Sequence, residues 1–171
     1  MKATVLLPAA IVIASPVQAT VYLTVEQAQD ILFPGATLIP DFQELTPAQV
    51  SAIEKLSGVS VRGRKLRLWR ASTGGFLIVD QVVGKHDYIP FAVALDEEGA
   101  VKGVEILEYR ESYGGQIRDP QWRAQFAGKH EASLKFGKDI RNISGATLSS
   151  RHITDGVKRL LATHAVLFGE H

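Results

Sequence analysis

Apolar positions recur along the chain in two rhythms, and the change from one to the other divides it. Thr24-Val25-Glu26-Gln27 has the form of a capping box, with Thr24 accepting from a backbone N–H and Gln27 reaching back, and Phe33-Pro34-Gly35 stops the helix it opens. The device recurs at Thr46-Pro47-Ala48-Gln49, where Pro47 takes the first helical position; Val50, Ile53 and Leu56 then form an apolar stripe that Gly58 ends. From Lys65 the period becomes two. Leu66 and Leu68 alternate with Lys65, Arg67 and Trp69, and Gly75 to Val83 is a second β-rich run. Phe91, Val93 and Leu95 alternate next, Asp96 to Gly99 is a polar turn, and Val101 to Tyr109 resumes the pattern, predicting a hairpin over Ile89 to Tyr109. The polar, Gly-containing segment Arg110 to Arg118 interrupts it. Asp119-Pro120 opens a short helix with Trp122 and Phe126 on one face, and Gly128 closes it. Ser149 to Leu167 is the longest amphipathic stretch, carrying Ile153, Val157, Leu160 and Leu161 at helical spacing. The expected fold class is therefore α+β: an antiparallel sheet of about four strands packed with helices, the last of them long.

The first residues follow neither rhythm. Lys2 precedes an apolar stretch, Thr4 to Ala14, and small residues flank Gln18 ahead of a cut after Ala19. This is the pattern of a secretory signal peptide, and the apolar stretch is short for a bilayer span. The expected organisation is a signal peptide over 1–19, N-terminal helices and a first strand over 20–74, and a core domain over 75–171, the mature protein being exported to the periplasm or cell envelope. Lys+Arg 19 against Asp+Glu 18 leaves a net charge of +1, without the basic excess of a nucleic-acid binder. Cysteine is absent, which excludes disulfides, thiolate metal sites, iron–sulfur clusters and c-type haem attachment. The five histidines are scattered at no recognised metal spacing, so no metal site is expected. Redox chemistry here would need a non-thiol cofactor.

Chemistry concentrates in Asn142-Ile143-Ser144-Gly145-Ala146-Thr147-Leu148-Ser149-Ser150, ahead of the long helix. Gly145 permits a tight turn, Ala146 leaves room for a bulky group to approach, and the N–H groups and dipole of a helix start favour an anion, phosphate above all. The same hydroxyl-rich residues equally suit plain N-caps, and composition alone leaves both readings open.

Ser144-Gly145-Ala146-Thr147 followed by a small hydroxyl pair resembles the flavinylation motif of FMN-binding domains. Such domains occur in the C subunit of sodium-translocating NADH:quinone oxidoreductase, the G subunit of Rnf complexes and many small exported proteins. Glu108-Tyr109-Arg110-Glu111-Ser112-Tyr113-Gly114-Gly115-Gln116-Ile117 is similar to the family's Glu-containing, Gly-rich loop near the flavin. Trp122-x-x-Gln125-Phe126-x-Gly128-Lys129 is similar to the helix that comes next, and the order agrees from about Gly75 to Leu167, roughly half the chain or a little more. The resemblance implies FMN esterified through its phosphate to Thr147, installed from FAD by an exported flavin transferase. It further implies phosphate contacts from N–H groups of Leu148 to Ser150, close backbone approach at Gly114 and Gly115, and ring packing by Tyr113, Trp122 or Phe126, aromatics that equally suit a core. Arg110 or Arg118 would face a reduced ring or simply solvent, and Glu111 would hydrogen-bond the cofactor or brace the loop. One position departs: the family's usual Asp three residues before the motif Ser is Arg141, with Asp139 two residues earlier as the substitute acid.

The run Arg62 to Arg70 carries five basic residues, either a docking surface for an acidic partner or anionic headgroups, or a solvated strand face. No hydrolase elbow is present. The resulting expectation is an exported electron carrier working between membrane-bound redox proteins, rather than an enzyme with its own substrate. The alternative is a sensory or docking module of a membrane redox complex that holds flavin reversibly or not at all.

Overall fold

The computed structural model describes residues 20–111, 113–130 and 132–169; the expected signal peptide lies outside them. Its centre is an antiparallel sheet. Four long strands run consecutively, β4 (Lys65–Ala71), β5 (Phe76–Val83), β6 (Tyr88–Leu95) and β7 (Val101–Ile106), and short strands β2 (Leu38–Pro40) and β3 (Gln43–Glu44) both pair with β4 at its outer edge. The α+β class and the four-strand core agree with the sequence, while β2 and β3 are additions to it.

The near-continuous apolar run of β5 follows from burial on both faces. Phe76 and Ile78 join Leu66, Leu68, Phe91, Val93 and Leu95 in the larger core, whereas Leu77 and Val79 join Trp69, Ala92 and Ala94 in a second core on the opposite face. Helix α4 (Thr147–Phe168) covers the first face with Ile153, Val157, Leu160 and Leu161, and α2 (Pro47–Ser57) adds Ile53 beside it. Helix α1 (Val25–Leu32) and the following Phe33 cover the second through Ala28 and the Phe33 ring. Gly156 lets α4 sit directly on the sheet, since a Cβ there would come within 2.6 Å of the Phe91 ring. Among the described residues no helix is long and apolar enough to cross a membrane.

Both predicted capping boxes form, at Thr24/Gln27 and Thr46/Gln49, and Gly58 ends α2 in the left-handed conformation. The expected hairpin is shorter than the sequence suggests, because its second strand ends at Ile106. Leu107 donates to the Pro90 carbonyl and accepts from the Tyr22 and Leu23 amides, and the chain then turns away as β8 (Glu108–Tyr109), which pairs with β1 (Thr20–Val21). That departure carries the Gly-rich loop across to the start of α4. The loop continues through a 3-10 turn (Gly115–Arg118), α3 (Pro120–Arg123) and a second 3-10 turn (Ala124–Phe126).

Candidate functional site

The two stretches singled out in the sequence meet, and Tyr109 joins them. Its buried hydroxyl lies 2.8 Å from Ser149 Oγ on the first turn of α4 and donates to the Tyr113 carbonyl in the loop. Gly114 completes the contact. It has φ +99°, a conformation other residues rarely adopt, and a Cβ there would stand 2.3 Å from the Tyr109 hydroxyl and 2.9 Å from Ser149 Oγ. The loop backbone is thereby seated against Ala146 and Ser149. Burial pushes the Tyr109 phenol above its ordinary pKa, partly offset by the Ser149 hydrogen bond, so the hydroxyl remains a donor through the physiological range.

Helix α4 begins without a side-chain cap. Its N-cap residue is Ala146, whose side chain accepts nothing. Ser149 is engaged by Tyr109, while the Ser150 hydroxyl turns back to the Ala146 and Thr147 carbonyls at 2.9 and 3.2 Å. The hydroxyl-capping reading of this segment is therefore not what the chain adopts. Ser150 N–H donates to the Ala146 carbonyl at 2.9 Å, so the free first-turn donors are those of Thr147, Leu148 and Ser149, displaced by one residue from the expected set of Leu148 to Ser150. Gly145, at φ +82°, makes the turn before them, and a Cβ on it would meet nothing within 4 Å. Ser144 and Thr147 are exposed, and among the described residues the Thr147 hydroxyl has no protein partner. Space next to that oxygen is open.

Two large apolar side chains flank this opening. Leu148 is 49% exposed and Tyr113, in the loop held by Tyr109, is 85% exposed. Gly115 presents bare backbone with nothing near its missing side chain. Uncapped donors, an exposed hydroxyl and apolar side chains beside it suit a ligand with an anionic phosphate and a flat apolar ring, so the residues present fit an FMN.

The remaining candidates lie around this centre and not in it. Trp122 is buried, edge-on to Phe126, and its indole N–H donates to the Arg141 carbonyl at 2.8 Å. Gln125 receives the Arg141 N–H at 2.9 Å and its Nε at 3.3 Å. The Trp122-x-x-Gln125 pair thus fixes the strand of loop that feeds Asn142 to Thr147. Glu111 braces its neighbours: Oε1 accepts the amides of His86 at 2.6 Å and Asp87 at 3.1 Å. Burial alone would raise the Glu111 pKa, but the amides of His86, Asp87 and Lys85 outweigh it and hold the carboxyl below its ordinary value. Arg118 stacks over the Tyr22 ring and Arg110 pairs with Glu108. Asp139, the substitute acid, accepts Lys135 N–H at 2.8 Å and so serves its own turn, while Arg141 is exposed. Among the described residues there is no group of His, Asp and Glu side chains able to hold a metal ion.

Tyr109 and Gln125 fall within the sequence motifs, but the sequence assigns neither a role. A strand-ending tyrosine and a helix glutamine carry no local signal, since their partners lie 40 and 16 residues away.

Residues 84–162 match the family model described as the FMN-binding domain. Among solved structures, the fold is similar to the C subunit of the Na(+)-translocating NADH-quinone reductase of Parabacteroides distasonis, with TM-score 0.55 and 14% identity over 78% of this chain and 80% of that one. It is also similar to NqrC of Shewanella oneidensis, with TM-score 0.53 and 18% identity over 85% of this chain and 88% of that one. No curated protein matches the chain by sequence.

Proposed function

Starting from an FMN-binding domain over residues 84–162, we propose that this chain is an exported electron-transfer flavoprotein whose FMN is joined through its phosphate to Thr147. The observation that carries the reading is the open, uncapped start of α4, where a threonine hydroxyl without a protein partner stands beside free amide donors. When bound, the flavin supplies both one- and two-electron chemistry, and a covalent tether keeps it with the protein outside the cytoplasm.

The chain's own part is positioning. With FAD as donor and a flavin transferase as catalyst, the Thr147 oxygen forms the new O–P bond, the pyrophosphate P–O bond breaks, AMP leaves and the hydroxyl proton is released. The amides of Thr147, Leu148 and Ser149, at the positive end of a 22-residue helix, hold the phosphate oxygens. Leu148 and Tyr113 offer apolar surface to the ring, and bare backbone at Gly115 allows close approach. Tyr109, through Ser149 and the Tyr113 carbonyl, keeps the two halves of the site together. The electron partners we propose are membrane-bound redox proteins, in keeping with the complexes in which the structural relatives are named as subunits. Export rests on the Lys2-to-Ala19 pattern.

Arg141 supports a second reading. The position is basic and exposed, and Asp139 is committed to its own turn, so a transferase that needs an acid here would pass this site over. The domain would then hold flavin reversibly, or dock without it. Co-expression with a flavin transferase and export machinery, followed by a denaturing gel, separates the readings. A fluorescent band that vanishes in Thr147→Ala is expected; a dark wild-type band with colour lost on dialysis means reversible binding, and a colourless protein overturns flavin binding.

A further inference from the structure

The strands bearing the basic run separate before the sheet ends. β4 and β5 stay paired from Arg70 opposite Phe76 to Arg67 opposite Val79, and beyond that point β4 pairs instead with β3, Gln43 opposite Leu66 and Glu44 opposite Lys65. The backbone of β5 at Asp80 and Gln81 is left facing a gap. Arg159 of α4 occupies its floor. The guanidinium binds Asp80 Oδ2 through Nη2 at 2.6 Å and Nε at 3.1 Å, and Nη2 also donates to the Gln81 carbonyl at 3.2 Å; Gln81 N–H turns to Asp80 Oδ1 at 2.8 Å. Side chains thus satisfy the groups that a neighbouring strand would have taken.

Above this floor remains a cleft of about 410 Å³, within the size range of small-molecule sites. Its walls include the apolar side chains of Val61, Leu66 and Leu160, and Arg62, Lys65 and Arg67 also line it. Asp80 is the one carboxylate in the lining, and Arg159 neutralises it. Arg62 and Lys65 make no ion pair among the described residues, and Arg67 only leans over the Trp69 ring. The lining is therefore left with uncompensated positive charge. Arg159 Nη1 reaches only the Ser60 carbonyl at 3.4 Å, a long hydrogen bond that leaves the donor available for a closer acceptor.

We propose that this cleft binds a small organic anion, with a carboxylate or phosphate head held by Arg62, Lys65 and Arg67 and an apolar body against Val61, Leu66 and Leu160. The head gains charge-assisted hydrogen bonds, and the body is removed from water. No lining residue belongs to the surroundings of Thr147, so the two sites stand or fall separately.

The test is a titration of the full mature chain followed by backbone amide NMR, with octanoate as probe, octanol as its uncharged counterpart and phosphatidylglycerol vesicles as the lipid source of the same chemistry. Octanoate is expected to shift amides in 61–67, 79–81 and 159–163 saturably, and octanol to leave them in place. The double variant Arg62→Gln/Lys65→Gln alters two exposed side chains, so it should keep the folded spectrum. Its affinity for octanoate should fall about tenfold or more. The proposal is overturned by non-saturable shifts with octanoate, by equal shifts with octanol, or by an undiminished affinity in the variant. Binding confined to vesicles would overturn it as well, assigning the surface to lipid.

Discussion

Helices α1 and α2 begin differently from α4, although all three have threonines at their starts. At Thr24 and Thr46 the hydroxyl accepts the N–H three residues on at 3.2 Å, and Gln27 or Gln49 returns the bond to the cap amide at 2.8 Å. At α4 the N-cap is Ala146, Thr147 already lies inside the helix, and its hydroxyl is left to solvent. The longest helix is thus the one started without local help. What holds it in place is tertiary: Tyr109 on Ser149, and Trp122 with Gln125 on the loop before it. A helix start that is not closed by its own sequence keeps its donors free for something else, and that is the physical meaning we attach to the difference.

Thr147→Ala tests this contrast most severely. Covalent flavin should disappear completely, read as fluorescence on a denaturing gel. The Tm should scarcely move, since an exposed hydroxyl without a protein partner contributes within about 0.5 kcal/mol. Gly114→Ala comes next. It forces a side chain into a positive-φ position and onto the Tyr109 hydroxyl, at a cost of about 2–4 kcal/mol in chemical denaturation. Flavin loading should fall with it. Tyr109→Phe leaves the Ser149 hydroxyl and Tyr113 carbonyl without their shared partner, costing about 1–3 kcal/mol; faster amide exchange at residues 113–115 would locate the loss at the loop. Thr46→Ala should cost about 1 kcal/mol by the same denaturation measurement, in contrast with the near-silent Thr147→Ala. Were both substitutions to cost the same, the distinction between capped and uncapped starts would collapse.

The smallest effect concerns pH. The Glu111 carboxyl is held below its ordinary value by amide donors, so its contribution is present above the unfolded value near 4.5 and is lost as pH falls through the lower folded value. Below pH 4.5 the amides of His86 and Asp87 should therefore exchange faster, with residues 147–149 little affected. Glu111→Gln should remove the dependence.

Much of the fold is legible in residues close in sequence. Both capping boxes join residues three apart, the stripe of α2 ends at a glycine, and alternation marks the four long strands. β2 and β3 escape such a reading because strands of three and two residues, one of them containing a proline, have no period to detect. The hairpin reads too long because Val101 to Tyr109 keeps a strand pattern straight through Leu107, where the chain changes partner to β1. The site is legible as a pair of motifs, but not the bonds that join them. Trp122 shows why: its spacing marks a helix face, yet only the fold reveals that its indole reaches the Arg141 carbonyl. The basic run is a similar case, since Arg159 meets Asp80 across 79 residues of chain.

Cleavage after Arg141 and Arg151 releases residues 142–151, a peptide that holds every hydroxyl of the motif. Fragment-ion mass spectrometry of that peptide, from protein matured alongside a flavin transferase, weighs the attachment directly. The account predicts one FMN, less one water, on Thr147. An unmodified peptide, or the added mass on Ser144, Ser149 or Ser150, would contradict it.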